Sequence, residues 1–302
     1  MEHDDDNEGW QWLNWQTKPD NTYIEDNDDE FGVTHIWKNA KVLDKIITKR
    51  GTRIEMVERP KWGIACYMNN SIQSCEVDEQ LYHETLVHPV MSAVENPKRV
   101  CIIGGGEGAT AREVFEWPGV EQVDMYEWDE DVVNLFRGKY TQWGEMAWYE
   151  SRLQLYFEDI FEVIKTPPTA KYDVIIIDLF EPTDDNRSQW ETLLGKLQNW
   201  IAPGGAIVMY AGMRNILVDK QPYECLAGLL NETEMWRGVD IPKYQLNREI
   251  TPYRVWIPSF SGESMFILLT PHGITPNFQK LSKINSHINE PVWNSYKTMN
   301  WR

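Results

Sequence analysis

The chain reads as an α/β protein, with a small antiparallel β-unit ahead of a larger unit whose mostly parallel sheet is wound with helices. Three observations predict it. From Arg99 onward, short apolar runs alternate with helix-period segments, as strand–helix–strand crossovers require. The first such run, Val100 to Ile103, is followed at once by a glycine cluster, GGGEG. Before it, residues 52–77 alternate apolar and polar residues around an Asn-Asn pair, the pattern of a half-buried hairpin.

Each element follows in order. TRIEMVERP and KWGIACYMNNSIQSCEV give the small sheet, with Asn69-Asn70 taking the positive φ angles of a tight turn. EQLYHETLVHPVMSAV places Leu81, Leu86, Val90 and Met91 at roughly helical spacing, and Pro89 is expected to kink or end that helix. RVCIIGGGEGATAREVF gives a buried strand, a glycine turn and a helix. VEQVDMYEWDEDVVNLF gives a second strand ending at Glu127, then a helix capped by Asp129. RLQLYFEDIFEVI gives a third strand ending near Asp159, and YDVIIIDLFEP a fourth ending at Asp178. LQNWIAPGGAIVMYAG reads as a helix, a Pro-Gly-Gly turn and a strand. The domains expected are an acidic mobile tail over 1–31, a β-domain over 32–77 and a catalytic domain over 78–302.

Composition narrows the function classes. The chain has 302 residues and a net charge of −18. Residues 1–31 hold eleven acids against one lysine, so more than half of the imbalance is in that stretch. Such a field does not gather nucleic acid or anionic lipid, and it suits a cationic ligand. No apolar run approaches the ~20 residues of a membrane span. The start, MEHDDDNEGW, lacks the basic and apolar segments of a secretory signal. Cys66, Cys75, Cys101 and Cys225 have no metal-ligand spacing, so reduced thiols, no metal and a cytoplasmic location are expected. Trp62, Trp190 and Trp256 read as packing residues, and His88 as a structural histidine.

The chemistry lies at the strand ends. In an open parallel sheet, ligands bind beyond the carboxyl ends of the strands. Glu107, Glu127, Asp159 and Asp178 occupy four successive ends; singly, each also reads as a solvated or capping acid. GGGEG is not GxGxxG, and it is nearer the glycine loop of S-adenosylmethionine-binding proteins, in a Rossmann-like transferase fold. Gly104 and Gly106 let the backbone approach a ligand. Glu127 fits a ribose-diol acceptor and Asp159 an adenine-amine partner, with the Ile160 N–H beside it. Glu107 lies where the amino-acid end of the ligand would sit. A carboxylate there repels a carboxylate and attracts an amine, so it favours the decarboxylated donor.

Five motifs in order resemble the polyamine aminopropyltransferases (spermidine, spermine and thermospermine synthases), from about Ile54 to Thr270: SIQSCEVDEQLYHETLVHP, IIGGGEGATAREV, MYEWDEDVV, YDVIIIDLFEP and VWIPSFSGES. YHE with LVHP, GGGEG with TARE, Asp-Leu and Pro-Ser-Phe resemble the thermospermine synthase branch most. The resemblance implies aminopropyl transfer from decarboxylated S-adenosylmethionine, as co-substrate, to a cationic polyamine, with release of methylthioadenosine. Spermidine giving thermospermine or spermine is the favoured reaction. Putrescine as acceptor is the alternative, ahead of an amine methyltransferase or a non-catalytic polyamine binder. It also implies a homodimer or homotetramer, no tightly bound cofactor, Asp178 as catalytic acid–base group, Tyr82, Asp178 and Glu181 at the acceptor, and Gln73 and His83 at the donor. Two departures stand out. Glu181 is a methylene longer than the family's Asp, and TDDNRSQWETLL after Pro182 lacks a Gly-Pro-rich gate. Ile160, where a small residue is usual, is expected to crowd the base. Asp78 is expected to cap the YHE helix, and Glu79 to cap it or face the amine cleft.

Overall fold

The computed structural model describes residues 22–25, 35–214, 222–237, 239–244, 246–281 and 286–297. The chain divides into two compact units after Val77.

In the first unit, β1 (Thr22–Glu25) pairs antiparallel with β2 (His35–Lys38). Strands β3 (Lys41–Ile47), β4 (Arg53–Arg59), β5 (Gly63–Met68) and β6 (Ser71–Cys75) form an antiparallel meander in sequence order. Asn69 and Asn70, at φ 51° and 70°, make the two-residue turn that sets Met68 opposite Ser71. β1 corrects the expectation of a mobile tail over 1–31. Tyr23 and Glu25 are buried there, because the Tyr23 hydroxyl donates to Glu55 at 3.0 Å and Glu25 accepts from Trp37 Nε1 at 2.8 Å. Residues 1–21, with their three tryptophans, lie outside the described residues, as do 26–34.

The second unit is built on a seven-stranded sheet in the order β14-β15-β11-β10-β7-β8-β9. The strands are β7 (Arg99–Gly104), β8 (Gln122–Tyr126), β9 (Leu153–Tyr156), β10 (Tyr172–Asp178), β11 (Ile201–Arg214), β14 (Glu249–Ile257) and β15 (Gly262–Thr270). The five from β11 to β9 run parallel, and β15 and β14 add antiparallel. β12 (Thr233–Trp236) and β13 (Val239–Pro242) form a separate hairpin. The helices are α1 (Glu79–Ala93), α2 (Ala109–Phe115), α3 (Glu130–Gly138), α4 (Ile160–Val163), α5 (Arg187–Trp200), α6 (Pro222–Leu230) and α7 (Glu290–Lys297). One sheet face packs Cys101, Ile103, Ile175, Ile177, Ile207 and Met209 against Trp190, Leu194 and Leu197 of α5 and Leu226 of α6. Helix α1 covers part of the sheet against β10, β11, β14 and β15. Among the described residues no helix is long and apolar enough to cross a membrane.

The order β10-β7-β8 places the topological switch between β7 and β10. After β9 the chain returns to pair β10 on the other side of β7, so the loops leaving β7 and β10 diverge there. The register sets Asp178 opposite Gly104, at the ends of both strands.

Three sequence expectations need correction. Pro89 does not end α1, which continues to Ala93. Proline removes the donor to the carbonyl four residues back, and here the Tyr253 hydroxyl supplies it, donating to Thr85 O at 3.0 Å. The Pro-Gly-Gly segment is a bulge inside β11 rather than a turn before it. Tyr172 pairs with Ile201 and Val174 with Ala206, so the extra residues of β11 loop out between the two pairs. Trp256 is exposed, whereas Trp190 is fully buried and Trp62 packs edge-on against Trp37.

Candidate active site

The glycine loop is shaped by its neighbours. Gly104, Gly105 and Gly108 have φ of 87°, 76° and 85°. A Cβ at Gly104 would collide with the backbone O of Asp178, so glycine is required where β7 meets the end of β10. A Cβ at Gly106 would stand 2.9 Å from Glu127 Oε2, so the loop lies directly against the second strand's acid.

Asp178 ends β10 and accepts from the Tyr82 hydroxyl at 2.8 Å and from Thr110 Oγ1 at 3.4 Å. Burial pushes its carboxyl above the usual range, against the pull of His83 and the Tyr82 hydrogen bond. Burial, then Asp178, pushes the Tyr82 phenol well up, so that hydroxyl stays a donor. The Tyr82 ring is packed by Tyr210, Phe260 and Phe266 at centroid distances of 5.9, 6.0 and 5.4 Å.

Glu107 and His83 are in direct contact, with His83 Nε2 2.7 Å from Glu107 Oε1. The other ring nitrogen, Nδ1, lies 2.6 Å from Glu79 O and 3.1 Å from Glu79 Oε2. Both nitrogens thus face acceptors. Burial works against a charged ring, but Glu107 and Glu79 outweigh it and push the imidazole up to about 10. Burial also pushes the Glu107 carboxyl up, opposed by His83.

Glu127 accepts from Asp129 N at 3.0 Å, and Asp129 caps α3 through Asp131 N at 3.1 Å. Burial raises the Glu127 carboxyl as well. Asp159 caps α4, accepting from Phe161 N at 2.9 Å. Ile160 begins α4, and its side chain is buried in the core with Ile103, Ile164 and Ile177. Glu181 accepts from the Tyr210 hydroxyl at 3.2 Å and from Met213 N at 3.3 Å. The loop after Pro182 is a hydrogen-bonded turn. Asn186 Oδ1 accepts from Thr183 N at 2.8 Å, and Asn186 Nδ2 donates to Glu181 O at 2.7 Å.

Within the second unit the structure therefore links Tyr82 with Asp178, His83 with Glu107, and the Glu127 carboxylate with the Gly106 turn. Gln73 belongs to the first unit, on β6, where its amide donates to Ser71 O at 3.2 Å. Asp78 precedes α1 but makes no side-chain cap; its Oδ2 accepts from Ser259 N at 2.7 Å instead, tying α1 to the Pro-Ser-Phe turn. Sequence reasoning missed Thr110, Tyr210 and Arg112. A lone hydroxyl in ATA or MYA carries no local signal, although the i, i+4 spacing of Glu79 and His83 was readable.

Glu84, His88 and Glu113 are buried with ligand-type atoms within 4.8 Å of one another. Trp117 Nε1 donates to His88 Nδ1 at 3.2 Å, and His88 Nε2 lies 3.2 Å from Glu113 Oε2.

Residues 79–224 match the spermine/spermidine synthase domain. The polyamine aminopropyltransferase of Pyrobaculum calidifontis is 34% identical over 233 residues, 74% of this chain and 75% of that one. Polyamine aminopropyltransferase 2 of Pseudomonas aeruginosa is 31% identical over 284 residues, 90% of this chain and 74% of that one. Among solved structures, the spermidine synthase of Thermotoga maritima superposes with a TM-score of 0.76 at 22% identity, covering 94% of this chain and 93% of that one. A spermidine synthase in complex with the transition-state analogue AdoDATO also gives 0.76, at 23% identity and 94% of each chain. At such identities the two structures establish the fold, a small β-unit followed along the chain by a Rossmann-like sheet. The sequence relatives establish the rest: this chain belongs to the polyamine aminopropyltransferases, enzymes of the spermidine synthase family.

Proposed function

We propose that this enzyme transfers the aminopropyl group of decarboxylated S-adenosylmethionine to spermidine, giving thermospermine. The observation that carries the reading is the pairing of Tyr82 with Asp178 at the β7–β10 switch point, beside the glycine loop that bears Glu107. In this reading Glu127 takes the ribose hydroxyls, Asp159 and the Ile160 N–H take the adenine, and Gly104 and Gly106 let the backbone close on the donor. Glu107 and His83 face the donor's aminopropyl end.

An alkylammonium has a pKa near 10 and must lose a proton before it attacks. Asp178 accepts that proton, and its upward shift makes it a stronger base than an ordinary carboxylate. The amine nitrogen then forms a C–N bond to the carbon beside the sulfonium. The C–S bond breaks, its electron pair stays on sulfur, and neutral methylthioadenosine leaves. Tyr82 holds the Asp178 carboxylate in place, and Glu181 anchors a distal ammonium of the acceptor. Two cations that repel in water are brought together among carboxylates, so positioning supplies much of the acceleration.

The acceptor follows from YHE, GGGEG, TARE and Pro-Ser-Phe, and from Glu181, whose longer side chain shifts the distal anchor. Putrescine is the second reading, since the AdoDATO-bound structural neighbour is itself a spermidine synthase. A cytoplasmic homo-oligomer belongs to the same proposal. The test supplies the decarboxylated donor with spermidine or with putrescine, and separates spermine from thermospermine by chromatography. Thermospermine from spermidine supports the assignment. Spermidine formed from putrescine alone overturns the acceptor.

A further inference from the structure

A line of side chains of alternating charge runs from the core to the glycine loop. Glu113 Oε1 accepts from Arg112 Nε at 3.0 Å. Arg112 Nη1 and Nη2 donate to Glu79 Oε1 and Oε2 at 3.0 and 2.9 Å, a two-pronged clamp. Arg112 Nη1 also donates to Trp143 O at 2.6 Å, so its guanidinium cannot swing away without losing a buried bond. Glu79 in turn meets His83 Nδ1, and His83 Nε2 meets Glu107. His83 is 2% exposed and Glu107 12%.

We propose that Glu79, locked by Arg112, is a positioning residue that holds His83 as a doubly protonated cation, and that His83 and Glu107 set the donor preference as one unit. This rests on the aminopropyl-transfer reading and deepens it. Nδ1 faces a carbonyl and a carboxylate, so it donates, and with Glu107 ionised Nε2 donates as well. The groups facing the ring are Glu79 on its own helix, Glu107 from the glycine loop and Asp178 from β10, with the neutral Tyr82 beside it and Arg112 behind Glu79. Every one of the carboxylates favours the charged ring.

The consequence changes what Glu107 does alone. Paired at 2.7 Å with a cation, it repels a donor carboxylate less than a bare charge would. Removing it takes away the larger of the two pulls on the ring, and the clamped Glu79 is then what holds His83 as a cation, unbalanced beside the donor's aminopropyl end. Glu107→Gln therefore does more than weaken the preference for the decarboxylated donor; it favours S-adenosylmethionine, whose carboxylate the freed imidazolium attracts. Adding His83→Gln in that background removes the cation and takes the advantage away again.

Two measurements on the full chain test this. In the first, ¹⁵N-histidine NMR follows ring protonation, with the His83 signals identified by their loss in His83→Gln. Two ring N–H groups on His83 persisting from pH 6 to pH 8.5 are expected, with one lost in that range in Glu79→Gln. A single ring proton at pH 7 in the wild type overturns the proposal, whether or not the Glu79 variant folds. In the second, calorimetry compares the affinities for S-adenosylmethionine and its decarboxylated form. The ratio is expected to shift toward S-adenosylmethionine by at least about tenfold in Glu107→Gln and to recover by several-fold in the double variant. Equal ratios in the single and double variants overturn it. Neither measurement reads turnover, so an absence of aminopropyl transfer strikes the functional reading and leaves the clamp standing.

Discussion

Replacing Tyr82 by Phe removes one hydroxyl and keeps the ring that packs against Tyr210, Phe260 and Phe266. The hydroxyl donates to Asp178 at 2.8 Å, and the remaining side-chain donor, Thr110, is at 3.4 Å. A hydrogen bond to a charged group contributes about 1.5–3 kcal/mol. Asp178 is only partly buried, so water replaces some of the loss, and the lower end, ~1.5 kcal/mol, applies. At 1.36 kcal/mol per pKa unit this moves the carboxylate up by about one unit. The direction adds to the upward push of burial. A base must be ionised to act, so the acid limb of kcat/KM should move up by about one pH unit in Tyr82→Phe. The assay is methylthioadenosine release at subsaturating acceptor from pH 5 to pH 9. Activity below the limb should fall about tenfold, with a much smaller loss on the plateau. An unmoved limb, or an equal loss at every pH, would refute the role given to the Tyr82–Asp178 pair.

Three further outcomes follow from the same geometry. Gly104→Ala combines a left-handed φ with a collision against the Asp178 carbonyl, costing about 2–4 kcal/mol; the melting temperature should drop by roughly 5–15 °C, whereas Gly204→Ala, in open space, should stay within about 0.5 kcal/mol of wild type. Tyr210→Phe removes a donor to Glu181, so the acceptor KM should rise several-fold with the donor KM unchanged, as two-substrate kinetics would show. His83 has a folded pKa of about 10 against an ordinary 6.5, so its stabilisation is complete below pH 6.5 and is lost as pH rises through about 10. Unfolding free energies from urea titrations should therefore fall more steeply over that window in the wild type than in His83→Gln, by at most roughly 1.4 kcal/mol per pH unit; parallel curves would count against a charged His83.

The parts of this fold legible in the sequence are those governed by neighbours in the chain. Val100–Ile103 and Val174–Ile177 are apolar runs bounded by turn residues, and both are buried parallel strands. Asn69-Asn70 announces its own turn, and Asp129 its own cap. What could not be read depends on residues brought together by register. Pro89 breaks a helix locally, and only Tyr253, far along the chain, repairs it. Tyr210 is an unremarkable strand residue until β11 sets its hydroxyl beside Glu181. The direction of the Ile160 side chain has no local signal either, and α4 turns it into the core. Glu107 is the instructive case. Its place in the glycine loop was legible, but its contact with His83 was not, nor was the Arg112 bond to Glu79 from another helix.

The central claim is that the carboxylate ending β10 drives aminopropyl transfer at the glycine loop. Its most direct test is methylthioadenosine release and polyamine product from the decarboxylated donor and spermidine, comparing the wild type with Asp178→Asn under conditions where both bind donor equally. Equimolar methylthioadenosine and tetraamine are expected from the wild type, and loss of at least about a hundredfold in the variant. Wild-type turnover by Asp178→Asn, or donor-bound wild type that releases no methylthioadenosine with any amine, would contradict it.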